Sequence, residues 1–127
     1  MPRFVVLEHD HPALHWDLLL EAGDVLQGWR LSAPPAEGVR IPAERSFDHR
    51  LLYLDYEGPI SGGRGRVVRW DRGELLWSER EAALVVVQLS GERLRGRLCL
   101  KCEDGAWGAT FEGEAGGKVV PRSAKDG

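Results

Sequence analysis

The stretch "FVVLEHDHPALHWDLLLE", Phe4 to Glu21, decides how this chain reads. Two apolar runs flank a short polar link. In an extended strand, side chains alternate faces with period two. Val5, Leu7 and His9 then share one face of the first run. His15, Asp17 and Leu19 share one face of the second, and Trp16, Leu18 and Leu20 take the other. A link as short as "DHPA" makes the two runs antiparallel neighbours. His9 can therefore meet His15 and Asp17 across the ladder. Two imidazoles and a carboxylate converging in this way form a three-ligand transition-metal site with open positions, suited to Mn²⁺, Fe²⁺ or Zn²⁺ and not to a Ca²⁺ cage. Histidines at strand ends also occur as ordinary polar residues beside a turn, and spacing alone leaves both readings open. His11, in the link, is expected to point to solvent.

The rest of the chain carries the same β signal. Apolar runs such as "VLQGWRLS", "RLLYLDYEG", "RVVRWD", "ELLWSE", "ALVVVQLS", "RLRGRLCLK" and "AWGATFEG" are separated by "EAGD", "SGGRG", "DRG", "SGER" and "EDGAWG". Gly, Asp and Ser at those breaks suit tight turns. The expected fold is all-β, a small closed or partly open antiparallel barrel. The long connection 32–48, "SAPPAEGVRIPAERSFD", holds prolines that argue against a central strand. It is read as a loop or a short helix. One domain is expected over 1–113, with a flexible tail over 114–127.

Composition bounds the function. With 127 residues, the chain can bury a core without disulfides or zinc. Cys99 and Cys102 have no second Cys or His pair beside them, so they read as reduced thiols of a cytoplasmic protein. No apolar run reaches membrane-spanning length and no secretory signal is evident. Net charge is −3, which argues against coating duplex DNA. It leaves room for a pocket that grips one phosphate or one strand end.

A second polar group lies in "FDHRLLYLDYEG". Read as a strand, it sets His49, Leu51, Tyr53, Asp55 and Glu57 on one face, too polar for a core and suited to the mouth of a barrel. A strand-end histidine and a half-buried tyrosine with a wet hydroxyl are the plainer readings of His49 and Tyr53.

Taken in order, "FVVLEHDHPALHWDLLLE", "VLQGWRL" and "DHRLLYLDYEGPISGGRGRVVRWDRG" resemble the 3′-phosphoesterase domain of bacterial DNA ligase D, which also occurs as a stand-alone protein. The likeness runs from Phe4 to about Trp77 and continues more weakly beyond. The resemblance implies a small β-barrel with a metal site near its centre. It implies an Mn²⁺-dependent enzyme of DNA repair that removes a 3′-terminal ribonucleoside and then the 3′-phosphate; the donor types leave Zn²⁺ as an alternative ion. DNA 3′ ends are the implied substrate, and repair ligases or polymerases the implied partners. Carried over by position, His9, His15 and Asp17 ligate the metal, His49 contacts the scissile phosphate or protonates the leaving oxygen, and Tyr53 orients the phosphate.

The departures concern the cations. Leu19 stands where the family has a site-facing arginine, and Ala33 where it has a lysine. An arginine grips phosphate through a planar fork, which leucine lacks. Arg30, Arg45, Arg50 and Arg64 are the candidate replacements, each expected near the barrel mouth. A member of the same fold that binds metal and a phosphorylated end without catalysis is the rival reading. A phosphoesterase for a small metabolite is a third.

Overall fold

The computed structural model describes residues 1–114. Ten strands account for most of them: β1 (Arg3–His9), β2 (His15–Ala22), β3 (Val25–Leu31), β4 (Ile41–Arg45), β5 (His49–Arg50), β6 (Gly58–Pro59), β7 (Arg66–Glu81), β8 (Leu84–Gly91), β9 (Arg95–Glu103) and β10 (Ala106–Gly113). Eight of them run round a ring in the order β1-β2-β3-β4-β10-β9-β8-β7, and β7 pairs back onto β1. All these pairings are antiparallel. The ring is uneven, because β4 is held to β3 and to β10 by three residue pairs each. The fold is a partly open antiparallel barrel. The tail expected from 114 onward lies, beyond Glu114 itself, outside the described residues.

Alternation sorts the side chains as the apolar pattern requires. Phe4 and Val6 of β1, Leu18 and Leu20 of β2, and Trp29 and Leu31 of β3 point into the barrel. There they meet Leu75, Val87, Leu89, Leu98 and Leu100 from the far wall. The odd residues of β1 and β2 point outward, and most of them too are buried. Val5, Leu7, Leu19, Leu26, Leu54 and Val67 form a second apolar cluster outside the ring. Its roof is the segment 49–60. β5 pairs with the free lower edge of β3, and β6 pairs with β7. A single 3₁₀ turn, Leu51–Leu54, crosses between them and drops Leu54 onto β1. Arg3 on β1 pins that turn by an ion pair with Asp55 at 2.7 Å.

Three expectations change here. The segment 49–57 is not one strand, since β5 ends at Arg50 and the 3₁₀ turn follows. Strict alternation therefore fails: Asp55 pairs with Arg3, and Glu57 accepts the Arg69 backbone N–H at 2.7 Å. The connection 32–48 contains β4 despite Pro42. The proline is tolerated because the β3 ladder stops at Ala43 and the Pro42 carbonyl still accepts the Ser32 N–H at 3.1 Å. "DRG" at 71–73 is not a turn but the middle of β7, where that strand changes partner from β1 to β8.

Asp71 explains the last point. Its side chain is buried, at 1% exposure. Oδ1 accepts the backbone N–H groups of Glu92 and Arg93, and Oδ2 that of Leu94, all within 2.9 Å. The carboxylate thus closes the β8–β9 turn. Asp71→Ala leaves three donors without their acceptor. It is expected to cost about 3 kcal/mol or more, read as a lowered midpoint in urea unfolding, with Asp71→Asn intermediate.

Candidate metal centre

The centre lies on the outer face of β1–β3, not inside the barrel or at its mouth, because its residues share the odd-numbered face of the second cluster. His9 and His15 are direct cross-strand partners, with ring centroids 4.8 Å apart. Asp17 follows two residues along β2. Its Oδ1 lies 3.2 Å from His15 Nε2 and its Oδ2 3.3 Å from His9 Nδ1. One ligand atom from each of the three lies within 4.8 Å of the others. Separations near 3 Å fit the edges of a coordination shell with bonds of about 2.1 Å. His15 and Asp17 are buried, at 5% and 6% exposure.

Backbone carbonyls decide which nitrogen of each ring faces inward. His15 Nδ1–H donates to the Ala13 carbonyl at 2.8 Å, and His9 Nε2–H donates to the Arg64 carbonyl at 2.8 Å. A carbonyl only accepts, so in the neutral rings the opposite nitrogens carry the lone pairs. Those are His15 Nε2 and His9 Nδ1, the two that face Asp17. His15 Nε2 is buried without a hydrogen-bond partner. Two imidazole lone pairs and a carboxylate facing one another attract a cation. The carbonyls are the outer supports that such ligands commonly have. The residues present therefore fit a divalent transition ion.

A cleft of about 650 Å³ opens over this centre, lined among others by His9, Asp17, Leu19, His49 and Tyr53. His49 arrives on β5 opposite Leu26. It can come this close because β3 has Gly28 beneath it: a Cβ there would lie 2.6 Å from Ser46 Oγ and 3.2 Å from His49 Nδ1. His49 Nδ1–H donates to the Phe47 carbonyl at 3.0 Å, which leaves Nε2 as the free lone pair. The ring stacks on Phe47, with centroids 4.6 Å apart, and meets the edge of Tyr53 at 5.9 Å. Burial holds the His49 imidazole below the ordinary histidine range, against the opposing pull of Asp17.

Comparison with known proteins gives the family. Residues 7–101 match the family model described as the DNA Ligase D 3'-phosphoesterase domain. The chain belongs to that family. It is 31% identical over 114 residues to the "Multifunctional non-homologous end joining protein LigD" of Mycolicibacterium smegmatis. That match takes in 77% of this chain but spans only 15% of the relative's length.

Within this phosphoesterase-family chain the four candidate arginines separate clearly. Arg45 is committed to structure. It donates to the Gly28 and Ser46 carbonyls, pairs with Asp48 and lies 4.6 Å over the Trp29 ring. Arg64 lines the cleft but is tied to the Ser61 carbonyl and hydroxyl. Arg50 lines the cleft and is exposed. Arg30 is half-buried, stands across from Asp17 on β3, and forms no ion pair among the described residues.

Sequence reasoning missed two cleft residues. His11, expected in solvent, is half-buried in the cleft wall. Phe47, 70% exposed, is the platform under His49. Nothing in the alternation pointed to Phe47, because it precedes its strand.

The lowered His49 basicity has a pH consequence. Below the ordinary histidine value of 6.5, the unfolded chain binds a proton at position 49 that the native protein still refuses. Native stability therefore falls as pH drops from 6.5 to the lower native value, and changes no further below it at this group. Metal-free protein is expected to lose this increment across that window and His49→Gln to lack it, as checked by urea unfolding at stepped pH.

Proposed function

We propose that this protein is an Mn²⁺-dependent 3′-phosphoesterase of DNA repair. Its reaction is removal of a terminal 3′-ribonucleoside, and of the 3′-phosphate left behind, from DNA ends. The observation that carries the reading is the set of inward lone pairs on His9 and His15 facing Asp17, next to the free Nε2 of His49. Membership of the DNA ligase D 3′-phosphoesterase family supports it. Imidazole and carboxylate donors suit Mn²⁺, with Zn²⁺ as the alternative. The DNA 3′ end is the substrate, and a repair ligase or polymerase the partner that uses the product. The free thiols Cys99 and Cys102 suit a cytoplasmic setting.

His9, His15 and Asp17 hold the ion in this reading. When bound, a divalent ion polarises a phosphoryl oxygen and makes a water more acidic. His49 does the proton work at Nε2. Its Nδ1–H stays on the Phe47 carbonyl, so the ring keeps its orientation whichever way the Nε2 proton moves. An imidazole held below the usual range starts without that proton, and the dianionic phosphate of an arriving end favours its uptake before release to the leaving oxygen. Tyr53, edge-on to His49, bounds the cleft and orients the phosphate. The second apolar cluster keeps the floor of the cleft dry, which strengthens each of these charge interactions.

Purified protein is to be tested on a primer-template carrying a 3′-ribonucleotide or a 3′-phosphate, with and without Mn²⁺. Release of product only with metal is the expected result. Asp17→Asn is expected to weaken Mn²⁺ binding roughly tenfold or more in calorimetric titration. His49→Gln is expected to keep Mn²⁺ affinity and lower the single-turnover rate by roughly a hundredfold or more. Mn²⁺ affinity unchanged by Asp17→Asn would remove that residue from the ligand set.

One observation favours the rival, a member that binds metal and a phosphorylated end without catalysis. Leu19 is 1% exposed and packed among Val5, Leu7, Leu26, Leu54 and Val67. A phosphate clamp at that position has been replaced by core. Leu19→Arg is therefore expected to lower stability by roughly 2 kcal/mol, even with the head group reaching the cleft. Thermal unfolding measures the cost, and no hydrolysis by wild type or variant on either substrate is the outcome that selects the rival.

A further inference from the structure

A second cleft, of about 890 Å³, adjoins the first. Pro12 and Arg30 line both. His15, one of the candidate metal ligands, also lines this second cleft. The two spaces thus meet beside the metal centre.

Two guanidinium groups in the second cleft are free of ion pairs among the described residues, those of Arg30 and Arg40. Arg30 Nε is buried and has no hydrogen-bond partner. Glu44 is its cross-strand neighbour on β4, yet the two form no ion pair. A desolvated guanidinium N–H without an acceptor is costly, and an acceptor from outside the chain relieves it. Arg40 lies against Gly108 of β10, where a Cβ would fall 2.1 Å from its Cζ. The missing side chain at 108 is what lets that guanidinium lie there. Leu14 at the edge of this space is 54% exposed, whereas Trp107 borders it with its ring turned inward, edge-on to Trp29. Two spaced cations beside exposed apolar surface suit a single nucleic-acid strand, whose successive phosphates need cations and whose bases need a surface to rest on.

We propose that the second cleft seats the strand leading to the reacting 3′-phosphate. Arg30 takes the reacting phosphate and Arg40 a phosphate further from the end. The inference rests on the end-processing reading and names the strand's path for it. Arg30 also answers the loss at position 19. On the outer face, Leu19 is paired with Gly28 and Asp17 with Arg30. Arg30 stands one strand across from position 19 and one rung nearer the histidines.

The test is fluorescence anisotropy with a single-stranded DNA of about eight nucleotides bearing a 3′-phosphate, in a metal chelator so that nothing turns over. Arg30→Gln and Arg40→Gln are each expected to weaken binding roughly fivefold to tenfold. Each is expected to lower the salt slope by about 0.7. Gly108→Ala, which displaces Arg40 without removing it, is expected to weaken the octamer similarly. A nucleoside 3′-phosphate used as competitor is expected to depend on Arg30 and not on Arg40. Mn²⁺ titration checks the folding of each variant, since removing positive charge beside Asp17 does not weaken cation binding. Octamer affinity unchanged in both Arg40→Gln and Gly108→Ala overturns the proposal. If wild type still hydrolyses 3′ ends in that case, the strand path is wrong and the end-processing reading stands. If wild type hydrolyses nothing but binds the octamer through Arg30 and Arg40, the strand site stands and the catalytic reading falls. Equal competition by an acidic peptide of matched charge also overturns the proposal.

Discussion

The register of β1 against β2, with His9 opposite His15, is the constraint on which the rest depends. A slip of one residue would turn every side chain of either strand to the other face. Phe4, Val6, Leu18 and Leu20 would leave the barrel core, and Val5, Leu7 and Leu19 would enter it. Because both faces of this pair are buried, both resist the slip. That is unusual for an antiparallel sheet, which often leaves one face in water. Here the roof formed by 49–60 covers the outer face and makes it a second core. The candidate metal centre sits at the edge of that core, where the register places the histidines.

Rigidity matters because the centre holds groups that repel one another. Two ring lone pairs face a carboxylate at just over 3 Å. In the neutral rings the N–H groups are committed to the Ala13 and Arg64 carbonyls, so neither ring then donates to Asp17. The strands and the two carbonyls hold the arrangement ready for a cation and avoid reorganisation when one arrives. The same device recurs at His49, whose Nδ1–H is fixed by Phe47. Three rings are thus oriented by three backbone carbonyls.

The arginines near the candidate centre divide between scaffold and open cleft. Leu19 belongs to the apolar cluster, and Arg45 belongs to the scaffold, lying on Trp29 and bonding the Gly28 carbonyl. Arg30 remains uncommitted at the junction of two clefts. A guanidinium in that position reaches an anion from the side of β3, whereas one at 19 would rise from the floor. Under the proposed strand path, a phosphate would meet the candidate metal centre from that side.

Local sequence by itself determined the β1–β2 pairing and the convergence of His9, His15 and Asp17. All three follow from period-two alternation across a link too short for any arrangement but antiparallel neighbours. Alternation also marked the inward apolar residues and hence the barrel. Only the tertiary structure decided that the centre lies outside the ring. The sequence "FDHRLLYLDYEG" alternates like a strand, but β3 offers β5 a short stretch of free edge and the chain must cross β2 and β1 to reach β7. That crossing forces the 3₁₀ turn, spends Asp55 on Arg3, and brings His49 over Gly28. Pro42 and the unbroken β7 were hidden for a related reason. Proline and "DRG" signal breaks locally, and strand partners that can absorb a missing donor or a change of neighbour are visible only once the sheet is assembled. The carbonyls that choose each histidine's tautomer were the least legible of all, because every residue has one and only the fold aims it.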